Sequence, residues 1–247
     1  MRLTVLGGCG AWPEAGQACS GFLVEYDGFV LLLDLGYATM PRLQEYVAVD
    51  QVDAVYVTHG HPDHCADVNP LLRARAMSDR PVVPLPLYAL PGALNAVLAL
   101  DRPGMLASAY ELREFAAGDS FDLGPFRLRT GLLPHWLPNA GVRLTAGDTT
   151  LVYTGDTGPA AEVVDLARGA DLLLAEATHM DEVPEGVRGY LTSAREAGQQ
   201  ASGAGVARLV LTHLWPGTDH GDAIAAAAQR YDGPVDVAAS GRVFDLT

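Results

Sequence analysis

Lysine is absent from this chain. All 16 basic residues are arginine, set against 30 Asp and Glu, so the formal net charge is −14 over 247 residues. A protein that binds a long nucleic acid draws affinity from neutralised phosphates and normally carries a basic patch. Here the arginines are scattered along the sequence, with only Arg73–Arg75 and Arg127–Arg129 as close pairs. A small-molecule substrate is expected and a polynucleotide partner is not. Cysteine is scarce: Cys9, Cys19 and Cys65 make an odd number without metal-type pair spacing. Reduced thiols in a cytoplasmic protein are the expectation, with a Cys9–Cys19 bridge left open. No apolar run approaches the ~20 residues that span a bilayer, so no membrane partner is expected. The opening residues 1–8 read as a short strand broken by glycines rather than as a signal peptide.

What is present is the composition of a globular protein: 49% hydrophobic residues, rich in Ala, Val, Leu and Gly. The length is enough for a sizeable core. No stretch has the composition of a linker, and residues 1–247 read as a single domain.

The chain is organised around Thr58-His59-Gly60-His61-Pro62-Asp63-His64. This stretch follows an apolar run, Val52 to Val57, that reads as a buried strand. It precedes a helical pattern from Asp63 to about Met77. Three imidazoles and a carboxylate on a strand-to-helix loop suit a divalent metal. His59 and His61 are two apart, so an extended backbone presents both to one side. Gly60 and Pro62 write a turn into the sequence, which leaves Asp63 and His64 facing a second point at the helix entrance. Two metals fit this pattern better than one.

Elsewhere, strands are expected at Leu3–Leu6, Ser20–Tyr26 and Phe29–Asp34, the last two joined by an Asp27-Gly28 hairpin signal. A short helix near Pro41–Val49, a strand at Pro81–Pro86 and a helix at Pro91–Leu100 follow. Strands are next expected at Tyr110–Phe115 and Ser120–Leu133, the latter broken at Gly124-Pro125, then at Val142–Thr145 and Thr149–Tyr153. From there helices (Pro159–Arg168, Thr192–Ala204, Asp219–Tyr231) alternate with strands (Asp171–Ala175, Ala207–Leu211, Val235–Ala239). This order predicts an α/β sandwich of two sheets between helical layers, with the two halves sharing one order of elements.

Five of the seven histidines fall at the ends of expected strands: His59, His61, His64, His135 and His213. Asp156 sits likewise, in Thr154-Gly155-Asp156-Thr157-Gly158, and strand ends on one rim are where α/β proteins gather active sites. The HxHxDH loop, a later isolated His, a Gly-Asp-Thr and a final Thr-His after a buried strand resemble the metallo-β-lactamase superfamily over nearly the whole chain. The resemblance implies a four-layer αββα fold and a dinuclear metal centre. In it His59, His61 and His135 hold the first metal, Asp63, His64 and His213 the second, and Asp156 bridges. Zinc is implied first and manganese second. His61, where oxygen-reducing di-iron relatives carry Glu, favours a hydrolase. The implied chemistry is attack by a metal-bridging hydroxide, oriented by Asp63, on phosphorus or a carbonyl carbon.

Within that superfamily, Glu176-Ala177-Thr178 and Leu191-Thr192-Ser193-Ala194-Arg195-Glu196-Ala197 resemble the ribonuclease Z-like phosphodiesterase branch, as do Ser20-Gly21-Phe22-Leu23-Val24 and Asp34-Leu35-Gly36. Members of that branch usually carry a His before the Leu-Thr that works with the Glu to protonate the leaving oxygen; here Tyr190 stands there. Ala175 stands where the nuclease has another His. Glu176 and Tyr190 are therefore the candidate catalytic pair beside Asp63, with His179 as an alternative proton donor. His220 reads as structural or exposed. The sequence also lacks the basic Gly/Pro-rich arm by which tRNA-processing members hold tRNA. The implied function is a phosphodiesterase acting on a small, cyclic-nucleotide-like substrate. An acyl hydrolase, a tRNA 3′-processing endonuclease and a metal-stabilised scaffold are the alternatives. Relatives are often dimers, so a homodimer is one expected state. Trp136 is expected to pack at a core edge, Trp215 is left open, and Asp34 and Thr58 are expected behind the ligand imidazoles.

Overall fold

The computed structural model describes residues 1–79 and 83–246. The chain divides into two compact units, one of Arg2–Ala116 with Ala239–Phe244, the other of Ala117–Ala238 with Met1 and the residues from Asp245 on.

In the first unit the strands are β1 (Arg2–Cys9), β2 (Ala18–Cys19), β3 (Gly21–Tyr26), β4 (Phe29–Leu35), β5 (Ala54–Tyr56), β6 (Leu85–Ala89) and β7 (Tyr110–Glu114). The main sheet runs β1-β3-β4-β5-β6-β7, with a short C-terminal strand, Val243–Asp245, on the outer edge of β1. β1, β3 and β4 are antiparallel neighbours, and β4 to β7 are parallel. Asp27 and Gly28 both take positive φ, 49° and 78°, as the two-residue β3–β4 hairpin requires. Among the described residues four short α-helices accompany the sheet: α1 (Thr39–Leu43), α2 (Pro62–Cys65), α3 (Val68–Ala76) and α4 (Asn95–Leu98). Leu32, Val55, Leu87, Leu43, Leu71 and Val97 belong to one buried apolar cluster. Burial of each such side chain contributes roughly 1.5–3 kcal/mol.

The second unit repeats the plan. β8 (Ser120–Leu123), β9 (Phe126–Leu133), β10 (Asn139–Ala146) and β11 (Thr149–Tyr153) are antiparallel. β12 (Leu172–Glu176), β13 (Leu209–Thr212) and β14 (Val235–Val237) continue the sheet in parallel with β11. Helices α5 (Ala161–Ala167), α6 (Ala194–Ala204) and α7 (His220–Ala228) complete it. α6 opens with a reciprocal cap between Ser193 and Glu196 and ends at Gly205 in the left-handed region. Its alanines at 194, 197, 201 and 204 share a buried cluster with Ala223, Ala226 and Ala227 of α7. The mixed α/β expectation with two sheets and helices holds, as does the shared order of elements in the two halves.

Several local expectations are corrected. The helix foreseen from Asp63 to Met77 is two helices, because the Asp67 amide bonds the Leu35 carbonyl (2.9 Å) while its carboxylate accepts from Met40 N (2.8 Å). Gly92, at φ 79°, holds the chain out of helix at the start of the Pro91–Leu100 stretch, leaving only α4. The strand placed at Pro81–Pro86 is Leu85–Ala89; the Pro81 and Val82 part lies outside the described residues. Strand Val243–Asp245 was not foreseen. Among the described residues no helix is long and apolar enough to cross a membrane.

Candidate metal centre

In the first unit the chemistry gathers where the parallel strands β4 and β5 end. Asp34, at φ 57°, lies fully buried near the end of β4. Its Oδ1 accepts from Thr58 N (2.8 Å) and its Oδ2 from Thr58 Oγ1 (2.9 Å) and His64 Nδ1 (2.7 Å). With its hydrogen committed to Asp34, the Thr58 hydroxyl is the acceptor for His59 Nδ1 at 3.0 Å. Both imidazoles thus carry their proton on Nδ1 and turn an Nε2 lone pair the other way. Gly36 makes this approach feasible: a Cβ there would meet the Asp63 carbonyl oxygen at 1.8 Å. Pro62 occupies the first turn of α2, where a missing N–H costs nothing. Asp63 is held by Ala11 N, 2.8 Å from its Oδ2.

The second unit carries a comparable set of its own. His135 follows β9, Asp156 follows β11, Glu176 ends β12 and His213 follows β13 at φ 58°. The Thr178 hydroxyl donates to Glu176 Oε1 (2.7 Å) and so accepts from His213 Nδ1 (2.8 Å). His135 Nδ1 donates to the backbone carbonyl of Tyr190 (2.9 Å). A carboxylate–threonine–imidazole relay therefore occurs in each unit: Asp34–Thr58–His59 in one, Glu176–Thr178–His213 in the other.

The donor spacings fit a metal. Ligands about 2.0–2.2 Å from a tetrahedral ion lie roughly 3.3–3.6 Å from one another. His59 Nε2 and His61 Nδ1 are 3.0 Å apart, and Asp63 Oδ2 is 3.7 Å from His64 Nε2. Asp156 Oδ2 stands 3.3 Å from His213 Nε2 and 3.6 Å from His135 Nε2, so one carboxylate oxygen serves two imidazoles. All of these donor atoms belong to groups with metal-ligating potential.

The remaining candidates fall into distinct places. Glu176 is fully buried, and its oxygens accept from Thr157 N, Thr178 Oγ1 and Thr192 N. Burial, followed by the Asp156 charge, pushes its carboxyl up to about 8. Tyr190 is 41% exposed and its ring stacks on Trp136 (centroids 5.3 Å, 20°). Trp136 is 50% exposed rather than packed at a core edge, because its ring covers His135 (5.0 Å) and Tyr190 instead. His179 is half-buried beside Trp215 (5.4 Å), and desolvation holds its pKa below the ordinary value. His220 is exposed at the start of α7. Cys9 and Cys19 face each other across β1–β2 as free thiols. Burial pushes Cys9 up to about 11, Cys65 up to about 12 and Cys19 further still. Thr178 and the Tyr190 carbonyl were not singled out from sequence; a threonine two residues past a strand end is the signal that finds the former, since Thr58 stands so after β5 and Thr178 after β12.

The Tyr190 loop depends on Gly158. Its amide donates to Pro134 O (2.8 Å), and a Cβ on it would meet the Gly189 carbonyl oxygen at 2.2 Å. Gly158→Ala is expected to displace Gly189–Tyr190 and unhook His135. The expected cost is about 1–3 kcal/mol by overpacking, with weaker metal retention in a chelator competition. Unchanged melting and retention would show that the loop adapts without moving His135.

Comparison with known proteins places this geometry. Residues 32–214 match the profile of the beta-lactamase superfamily domain. The probable metallo-hydrolase YhfI of Bacillus subtilis is 30% identical over 99% of this chain and 100% of its own length. A crystal structure of YhfI, a metallo-beta-lactamase fold protein, superposes with a TM-score of 0.89 at 30% identity, covering 98% of each chain. A ribonuclease Z of Myxococcus xanthus is 28% identical over all of this chain and 98% of its own. The chain belongs to the metallo-β-lactamase superfamily, as a metal-dependent hydrolase of the ribonuclease Z-like branch.

Proposed function

We propose that this chain hydrolyses a small phosphodiester of the cyclic-nucleotide kind, with residues 1–247 acting as one catalytic domain. His59, His61 and His135 would hold one divalent ion, Asp63, His64 and His213 a second, and Asp156 would bridge them. Zinc is our first assignment and manganese the second. The observation that carries the reading is the donor set of each unit: donor atoms stand 3.0–3.7 Å apart, and the Nδ1 protons of His59, His64, His135 and His213 are already committed. The similarity to a ribonuclease Z, whose name denotes phosphodiester chemistry, favours phosphorus over an acyl carbon.

The bound ions would lower the pKa of water toward 7 and polarise the phosphoryl oxygen. The protein supplies the rest. Asp63, fixed by the Ala11 amide, orients the attacking water and takes its proton. Asp34 and Glu176 act as positioning residues through Thr58 and Thr178. The exposed Tyr190 phenol donates a proton to the leaving oxygen, in the place where the branch usually carries His. Trp136 and Tyr190 together offer an exposed aromatic face for a base. The free, buried thiols suit a reducing compartment, and we assign the activity to the cytoplasm.

Elemental analysis of the purified protein, with a panel of cyclic nucleotides, bis-p-nitrophenyl phosphate and p-nitrophenyl esters, tests the reading. About two ions per chain with phosphodiester turnover is expected. Ester turnover alone would move the function to acyl hydrolysis. Tyr190→Phe sharpens the test: kcat on a cyclic nucleotide, whose alkoxide leaves poorly, is expected to fall on the order of 10²-fold. Turnover of bis-p-nitrophenyl phosphate, whose leaving group needs no acid, stays within about threefold by the same reasoning. Equal losses on both substrates would remove Tyr190 from proton donation.

A further inference from the structure

The arginines that look scattered in sequence are gathered by strand register in the second unit. β9 pairs with β10 so that Arg129 lies opposite Arg143 and Arg127 opposite Thr145. β8 adds Ser120 opposite Arg129. Arg168 follows α5 and completes a surface cavity of about 600 Å³. Four of the 16 cations of a chain with net charge −14 thus line one concavity.

Part of this cluster has a structural use. Arg143 Nη1 donates to Leu166 O (3.0 Å) and Arg168 O (2.9 Å), and Arg129 Nη2 donates to Asp165 O (2.7 Å). These bonds cap the last carbonyls of α5, as cations at a helix C-terminus do. Capping does not account for the rest. Arg127 is exposed and its side chain makes no hydrogen bond or ion pair among the described residues. Arg168 is answered by Asp165 through one nitrogen (2.7 Å). Arg129 and Arg143 crowd each other, and burial followed by that repulsion lowers the Arg143 pKa. Asp165 also lines the cavity and Asp122 stands opposite Arg127 across β8–β9, so four guanidiniums there face two carboxylates and keep an excess of positive charge that an anion would offset.

We propose that this cavity binds a small polyanion carrying two or more linked phosphates, such as a di- or triphosphate group. Planar guanidinium forks match phosphate oxygens in bidentate fashion, and Ser120 and Thr145 add hydroxyls to the lining. The volume lies in the range of small-ligand sites and exceeds what one phosphate fills. A nucleic acid would need a longer basic stripe.

The test is calorimetric titration of the metal-loaded protein with sodium tripolyphosphate, with sulfate and a short RNA duplex as comparisons. Variants are Arg127→Ala and Arg127→Ala/Arg168→Ala, both at exposed positions. Binding to the catalytic metals is common to all three proteins and is subtracted. A saturable event in the wild type, weakened at least about tenfold in the double variant with bis-p-nitrophenyl phosphate hydrolysis unchanged, is the expected result. Equal tripolyphosphate binding by wild type and double variant overturns the site. Wild-type affinity for sulfate matching that for tripolyphosphate overturns the polyanion assignment, and tighter binding of the RNA duplex overturns it in favour of a nucleic-acid contact.

Discussion

Asp156→Ala is expected to lower bound metal from about two ions per chain to one or none, and hydrolysis by at least ~10³-fold. The reason is geometric. One oxygen of Asp156 lies 3.3 Å from His213 Nε2 and 3.6 Å from His135 Nε2, so a single truncation removes a donor that both imidazoles share. The loss is not expected to come through unfolding. In the metal-free protein the Asp156 charge helps to raise the carboxyl of buried Glu176; removing it relieves that opposition. The metal-free variant should therefore melt at or slightly above the metal-free parent. Metal content, turnover and melting of both forms, measured together, separate the effects. Retained turnover with two bound ions would remove Asp156 from its bridging place.

The second large effect is expected at Asp34→Asn. Asparagine tolerates the left-handed backbone that Asp34 adopts at φ 57°, so the substitution tests chemistry rather than strain. Its carbonyl oxygen still accepts from Thr58 N, where Oδ1 stood. Its amide then faces Thr58 Oγ1 and His64 Nδ1, which both need an acceptor. The accommodating response is a tautomer change: His64 accepts the amide hydrogen on Nδ1 and moves its own proton to Nε2. An Nε2–H cannot ligate. Metal content near one ion per chain and a loss on the order of 10²–10⁴-fold in turnover are expected. The ¹⁵N chemical shifts of the imidazole nitrogens report the tautomer directly. Thr58→Val touches only the His59 arm and should cost about tenfold in metal affinity. Wild-type metal content in Asp34→Asn, with the His64 proton still on Nδ1, would show that the relay does not set the tautomer.

The candidate ligand cluster was legible in sequence because HxHxDH is local: six residues on one strand-to-helix loop need no tertiary knowledge to be brought together. His135, Asp156 and His213 stood out as candidates because each lies within three residues of a strand end. Asp34 and Thr58 could be read as supporting groups for the same reason. The Tyr190 carbonyl could not, since a backbone oxygen has no residue signature and its partner lies 55 residues away. Trp136 was misread because a tryptophan beside a strand usually seals a core, whereas here it stacks on two partners in the open. The four-arginine cavity was invisible because it depends on β8–β9–β10 register, which brings positions 127, 129 and 143 together, and on the packing of α5 that adds 168. The α3 boundary was lost to one tertiary hydrogen bond, from Asp67 N to Leu35 O.

The two carboxylate–threonine–imidazole relays have a thermodynamic consequence. An imidazole in an unfolded chain samples two tautomers and several rotamers, and a metal that binds such a chain must meet the cost of freezing them. Here folding has already fixed the ring orientation and proton position of His59, His64 and His213, together with that of His135 through the Tyr190 carbonyl. Because the partners that fix these rings are protein groups, metal loading is expected to cost less conformational entropy here than on free imidazoles.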